Sequence, residues 1–288
     1  MRAEQVAGPA PGNLSETVAM NQTTPPASAG RGGHVGRPGD LNRANRGWWS
    51  ANADEYYGEH GEFLGDSELV WGPEGVTEAQ LGLLGDLAGR DVLEYGCGAA
   101  QGTRFVRSRG ARGVGLDLAE GMLRVGRGLD ARHRTSTPLV HGDATALPFA
   151  DAAFDVVFSA YGATAFVSDL RGLVAGCARV LRPGGRLVYS TSHPIRWAFP
   201  DGPTSLTATM SYFDRSPYTE SRDGVLDYAE CHHTVGDHVR AVAAAGLRLL
   251  DLVEPEWPEQ NTSTWGGWSP LRGRHIPGTL IVVATKPR

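Results

Sequence analysis

The 288-residue sequence predicts an open α/β fold, a doubly wound seven-stranded sheet with helices on both faces and an antiparallel last strand. Two observations carry this expectation. From residue 91 onward, short runs rich in Val, Leu and Ile alternate with amphipathic stretches of helical period, the pattern of repeated strand–helix units. The last two apolar runs have no helix between them, which predicts that the final strand turns back antiparallel.

DVLEY (91–95) reads as the first strand and GTRFVRSRG as its helix. GVGLD (113–117) is the second strand, followed by the helical AEGMLRVGRGL. PLVHGD (138–143) and FDVVFSA (154–160) are the third and fourth. LRGLVAGCARVL has a clear apolar face and is stopped by Pro183-Gly184-Gly185. RLVYSTS (186–192) is the fifth strand, VGDHVRAVAAAG a further helix, LRLLDLVEP the sixth strand and GTLIVVATKP the seventh.

Ahead of the sheet, residues 1–46 are rich in Gly, Pro, Ala, Ser and Thr and read as a disordered tail, with Met20 a second candidate start. A helical cap is expected over 47–89. In WWSANADEYYGEHG, Trp49, Ala53, Tyr56 and Tyr57 share one helical face. PEGVTEAQLGLLGDL predicts a helix capped near Thr77 with Leu81, Leu84 and Leu87 inward. Two segments interrupt the alternation, 193–233 and 255–277, both leaving the carboxyl ends of strands, where open α/β sheets bind ligands. Their aromatics, among them Trp197, Tyr212, Tyr228, Trp257 and Trp265, predict an ordered cover over that edge.

Composition narrows the function. The net charge of −5 argues against a nucleic-acid partner or an anionic membrane surface. No apolar run has the roughly 20 residues of a membrane span, and the N-terminus lacks the apolar stretch of a secretion signal. Cytoplasmic residence is the resulting expectation. The three cysteines, Cys97, Cys177 and Cys231, form neither a disulfide framework nor a CxxC zinc site, and no metal is expected at Cys231-His232-His233. The only lysine is Lys286, which excludes a Walker A lysine or a Schiff-base lysine within the fold. Arg124, Arg127, Arg132 and Arg134 read as a solvated helix face.

The functional signal lies in VLEYGCGAAQG (92–102). Glycines after a strand let the backbone turn tightly and approach a ligand, while the next helix directs its N-terminus at that ligand. Their positions, Gly96, Gly98 and Gly102, lack the GxGxxG spacing of dinucleotide enzymes, and an acid, Glu94, precedes them. Asp117 ends the second strand, where an acid typically takes both ribose hydroxyls. Asp143 follows the third strand, where its side chain could reach an adenine amino group.

EYGCGAAQG, GVGLDLAEGML, HGDATALPFADAAFDVVFSAYG and ARVLRPGGRLVYS, in that order and spacing, resemble the class I S-adenosylmethionine (SAM)-dependent methyltransferases. The likeness is greatest to the small-molecule branch that includes the ubiquinone and menaquinone biosynthesis enzymes, and it implies a Rossmann-like sheet. One departure is Ala100, where the family's loop usually has its third glycine. The resemblance implies that Glu94 organises the loop and the cofactor's amino group, and that Gly96 and Gly98 let the backbone lie against the cofactor. It further implies that Asp117 binds the ribose, that Leu118 and Met122 clamp the adenine faces, and that Asp143 and Ala144 hold its edge. Ser159 would stand where the methionine part meets the substrate. WSANADEY (49–56) is similar to the segment that closes over the cofactor in related enzymes, which makes Tyr56 a candidate contact. Aromatic faces suit a sulfonium cation by roughly 0.5–2 kcal/mol.

Methyl transfer from a sulfonium needs mainly alignment, plus a base if the acceptor carries a proton. His193, His232 and Tyr161 are the candidate bases, each with a plain structural reading beside it. The function expected is methylation of a small molecule with an aromatic or apolar part. A non-catalytic SAM-binding regulator and an NAD-type oxidoreductase remain as alternatives. The acceptor, the atom methylated and the oligomeric state are open at this level.

Overall fold

The computed structural model describes residues 30–31 and 38–288. Its centre is a seven-stranded sheet. In chain order the strands are β2 (Asp91–Tyr95), β3 (Arg112–Asp117), β4 (Leu139–His141), β5 (Phe154–Ser159), β6 (Leu181–Ser192), β9 (Arg248–Val253) and β10 (Thr279–Thr285). Their spatial order is β4-β3-β2-β5-β6-β10-β9. β2 pairs in parallel with β3 and β5, and β10 lies antiparallel between β6 and β9. The expected sheet and its reversed last strand are therefore both present.

Alternation of side chains explains why both faces are covered. Along β10, Leu280, Val282 and Ala284 join the core under α6 (Leu170–Val180) and α7 (Val235–Ala244). Ile281 and Val283 point the other way, into a core with Trp71, Leu87, Phe105 and Val106, the last two from α4 (Gln101–Ser108). α5 (Glu120–His133) follows β3. β6 begins earlier than the expected 186 because Leu181 already pairs with Phe154, and a register shift on β5 absorbs Pro183-Gly184-Gly185.

The cap differs from expectation in two places. α1 spans Pro38–Ala51, so the boundary expected at 46 falls inside a helix; residues 1–29 and 32–37 of the expected tail lie outside the described residues. α2 (Ala53–Leu64) follows after Asn52. Trp49, Ala53, Tyr56 and Tyr57 do share a face, packed on Met122 and Leu129 of α5. The helix expected after Thr77 is only α3 (Glu78–Leu81), stopped by Gly82 in the left-handed region at φ 62°. Leu84 and Leu87 are buried all the same.

Both insertions carry regular structure. In the first, a 3-10 helix (Pro194–Ala198) leads to a hairpin of β7 (Tyr218–Arg222) and β8 (Val225–Glu230). β1 (Gly30–Arg31) pairs with β7, making a small second sheet. The second insertion carries α8 (Pro270–Gly273). Arg272, fully buried, joins the two insertions by donating to the carbonyls of Pro200, Gly202 and Gly267. Among the described residues no helix is long and apolar enough to cross a membrane.

Candidate cofactor and active site

The site begins where β2 ends. Gly96 and Gly98 take positive φ, 61° and 53°, and a Cβ at position 96 would overlap that of Ala163. Ala100 adopts φ 64° as the N-cap of α4, so the alanine that replaces the family's glycine keeps a glycine's conformation. Glu94 is buried and accepts from the Thr103 hydroxyl, and a Cβ at Gly102 would overlap its Oε1. Burial pushes the Glu94 carboxyl up to about 8, against the pull of Thr103. Asp117, at the tip of β3, accepts the Gly98 amide through Oδ2 at 2.7 Å and the Ala119 amide through Oδ1 at 2.8 Å. Burial raises its pKa despite these two donors. The glycine turn is thus tied to the tip of the neighbouring strand by one carboxylate.

A cavity of about 1260 Å³, counted to its open mouth, lies over this turn. Glu94, Gly96, Gly98, Asp117, Leu118 and Met122 line it, as do Asp143, Ala144, Tyr56 and Tyr161. Every predicted cofactor residue except Ser159 therefore meets in one cavity. Ser159 is fully buried at the end of β5 behind Gly96 and is not part of the wall. Asp143 is held by its neighbours: Oδ1 accepts from the Thr145 amide and hydroxyl at 2.8 and 2.7 Å, and Oδ2 accepts from Asn42 Nδ2 at 2.8 Å.

The candidate bases separate. Tyr161 lines the cavity, in a left-handed backbone (φ 41°), with its amide donating to Ser190 Oγ at 2.7 Å. Strain of this kind concentrates at functional sites. His193 and His232 do not line it. His193 Nδ1 accepts the Ile195 amide, capping the 3-10 helix, so its proton is on Nε2 and donates to Glu254 at 2.8 Å. His232 bonds the Tyr212 carbonyl through Nε2 and packs on the Trp197 ring. Both histidines are occupied in holding the first insertion.

The remaining wall is aromatic. Trp49 lies edge-on to Tyr56 and to Phe166, with centroids 5.1 and 5.4 Å apart. Tyr161 packs against Trp265 at 5.4 Å. Asn42, Asn45 and Phe166 line the cavity although the sequence reading did not place them there; of the aromatics expected to cover the ligand edge, Trp265 lines it, whereas Trp197, Tyr212, Tyr228 and Trp257 do not. For Asn42 and Asn45 a signal existed: Leu41, Ala44, Asn45 and Trp48 recur at helical spacing, and the first three are buried. Trp265 stood among the aromatics of the second insertion, but nothing in its neighbourhood set it apart from Trp257 or Trp268.

Residues 93–189 match the family described as a methyltransferase domain. Over 211 residues the chain is 32% identical to the demethylmenaquinone methyltransferase of Mycobacterium sp. (strain JLS), covering 71% of this chain and 79% of that enzyme. The chain belongs to the SAM-dependent methyltransferases. The demethylmenaquinone methyltransferase of Tropheryma whipplei (strain Twist) is 39% identical over 120 residues, 41% of this chain and 48% of that enzyme, so the chain spans about half of that relative's length. Among solved structures, a SAM-dependent methyltransferase from Mesorhizobium loti superposes with a TM-score of 0.60 at 26% identity, covering 75% of this chain and 100% of that one.

SAM is the cofactor of this methyltransferase, and the cavity fits it on independent grounds. Two buried carboxylates face a turn whose left-handed glycines leave a cradle: a Cβ at Gly98 would press on Met122 Cε at 3.2 Å. The competing NAD-type reading is set aside by the glycine spacing and by family membership.

Proposed function

We propose that the protein transfers the methyl group of SAM to a small-molecule acceptor with an aromatic or apolar part. The observation that supports it is continuity: the acidic, glycine-lined floor of the cavity passes directly into the wall of Trp49, Tyr56, Phe166, Tyr161 and Trp265. In this reading Asp117 takes the ribose hydroxyls, and Glu94 organises the turn and faces the amino group. Leu118 and Met122 cover the adenine faces, and Asp143 with Ala144 holds its edge. When bound, the cofactor supplies an already activated methyl group on a sulfonium. The protein's task is then proximity and alignment, which can lower a barrier by up to ~7–11 kcal/mol.

Tyr161 is the candidate acid–base residue that borders the chamber. Burial pushes its phenol far up, so it stays protonated at neutral pH and acts by orienting the acceptor's polar atom rather than as a free phenolate. Trp49, Tyr56 and Phe166 keep water from the reacting centre and present ring faces to a cation.

The test is incubation with methyl-labelled SAM and a panel of aromatic and prenylated acceptors. Demethylmenaquinone is the first to try, given the relatives' names. Label transfer with release of S-adenosylhomocysteine is expected. Tight cofactor binding with no transfer to any acceptor would favour the non-catalytic regulator.

A further inference from the structure

The N-terminal helix reaches across the cavity and puts one side chain on a cofactor residue. Asn42, on α1, donates from Nδ2 to Asp143 Oδ2 at 2.8 Å, and both residues line the cavity. The position of α1 is fixed independently of this bond. Asn45, one turn on, pairs with the Ala229 backbone twice, donating to its carbonyl at 3.0 Å and accepting its amide at 2.9 Å. At its other end, a Cβ at Gly121 of α5 would overlap the Ser50 carbonyl, so the two helices meet backbone to backbone there. Asp143 is fixed as well, because both Thr145 donors hold Oδ1.

The bond defines the chemistry Asn42 offers. With its NH₂ on a carboxylate oxygen, its amide carbonyl is an acceptor on the same planar group; the reverse orientation would set two oxygens together. Asp143 Oδ2 retains a second lone pair. The pair is therefore two acceptors beside each other, matched to the two N–H groups of an exocyclic amine. A 6-oxo purine would present an oxygen to the same two acceptors and be repelled.

We infer that Asn42 and Asp143 together read the 6-amino edge of the cofactor's adenine, which makes α1 a specificity element of the cofactor site and couples its docking to occupancy. This rests on the SAM reading of the cavity. Losing a hydrogen bond to a charged or partly shared site typically changes affinity about ten- to hundredfold.

The experiment is a calorimetric titration of the full chain with S-adenosylhomocysteine and with S-inosylhomocysteine, alongside hydrogen exchange of residues 38–51. Wild type should prefer the adenosyl ligand by at least about tenfold, and that ligand should protect 38–51. Asn42→Ala should lose about tenfold on the adenosyl ligand alone and lose the protection. Asn42→Gln keeps both a donor for Asp143 and an amide carbonyl acceptor and should keep the preference, which separates the acceptor's role from mere loosening of the helix. An adenosyl-to-inosyl ratio unmoved in Asn42→Ala, or a ratio lost equally in Asn42→Gln, overturns the role of Asn42. Wild type binding neither nucleoside would overturn the cofactor reading beneath it.

Discussion

Asp117 joins the glycine turn to the start of α5 by accepting two backbone amides, and the same carboxylate faces the cavity. Replacing it with alanine removes a ligand contact and leaves the Gly98 and Ala119 amides without their partner. Affinity for S-adenosylhomocysteine should fall by about a hundredfold, at ~1.5–3 kcal/mol for hydrogen bonds to a charged group; an unchanged dissociation constant would refute the ribose role. Glu94 predicts a pH effect. Burial lifts its folded pKa to about 8, so it is protonated at pH 7 before ligand arrives. A cationic amino group favours the carboxylate, so binding should release a proton, and affinity should rise up to tenfold per pH unit until about 8. Calorimetry in buffers of different ionisation heat measures that proton directly. Ala100 was visible in the sequence as a departure, but its consequence was not. Its left-handed backbone costs roughly 1–2 kcal/mol, while its buried methyl, packed with Cys97 and Leu123, returns about 0.8. Ala100→Gly should therefore shift stability by no more than about 1 kcal/mol in a denaturant titration.

At the scale of elements, the strands and the helices of the sheet were legible because their burial is periodic. β2 is DVLEY in both readings, and α6 differs by one residue. The start of α1 was not legible. Its Gly, Pro and Asn content is that of a tail and outweighs the helical spacing of Leu41, Ala44, Asn45 and Trp48; the helix is held by tertiary partners: Leu41 packs with Ala229 and Cys231, and Asn45 bonds the hairpin. The histidines were misleading for a related reason. His193 follows a strand at the ligand edge, yet only the fold reveals that Ile195 and Glu254 already occupy both ring nitrogens. The helix contact at Gly121 makes a prediction for α1. Gly121→Ala must push Ser50 away, which should cost ~1–3 kcal/mol and weaken ligand binding together, since Asn42 and Trp49 move with the helix. A variant with normal melting temperature and normal affinity would contradict that packing.

For the whole molecule, the seven-stranded sheet supplies the cofactor floor, while the cap, the turn after β5 with Tyr161 and Phe166, and Trp265 of the second insertion supply the walls. The floor was legible from four short motifs, because turn glycines and strand-end acids are local requirements. The walls were legible only in part: the 49–56 segment was, but that Phe166 and Trp265 join it is set by the tertiary fold alone. Stability against acid belongs to this scale as well. His238 is buried between helix and sheet, with Nδ1 on the Tyr189 hydroxyl at 3.0 Å. Burial pushes its pKa down to about 3, with His233 adding to the effect. The unfolded chain therefore binds this proton, and the folded one does not, between about 6.5 and about 3. Stability should fall with decreasing pH in that window, by up to ~1.4 kcal/mol per unit from this group. His238→Asn should flatten that part of a melting-temperature profile.

Trimming the chain to begin at Gly47, the boundary its composition suggests, would leave every strand of the seven-stranded sheet in place while removing Leu41, Asn42 and Asn45. Such a shortened protein should give an ordinary circular-dichroism spectrum and still fail to retain its nucleoside. An inactive preparation of that kind would report where the cut was made, and would say nothing against the chemistry.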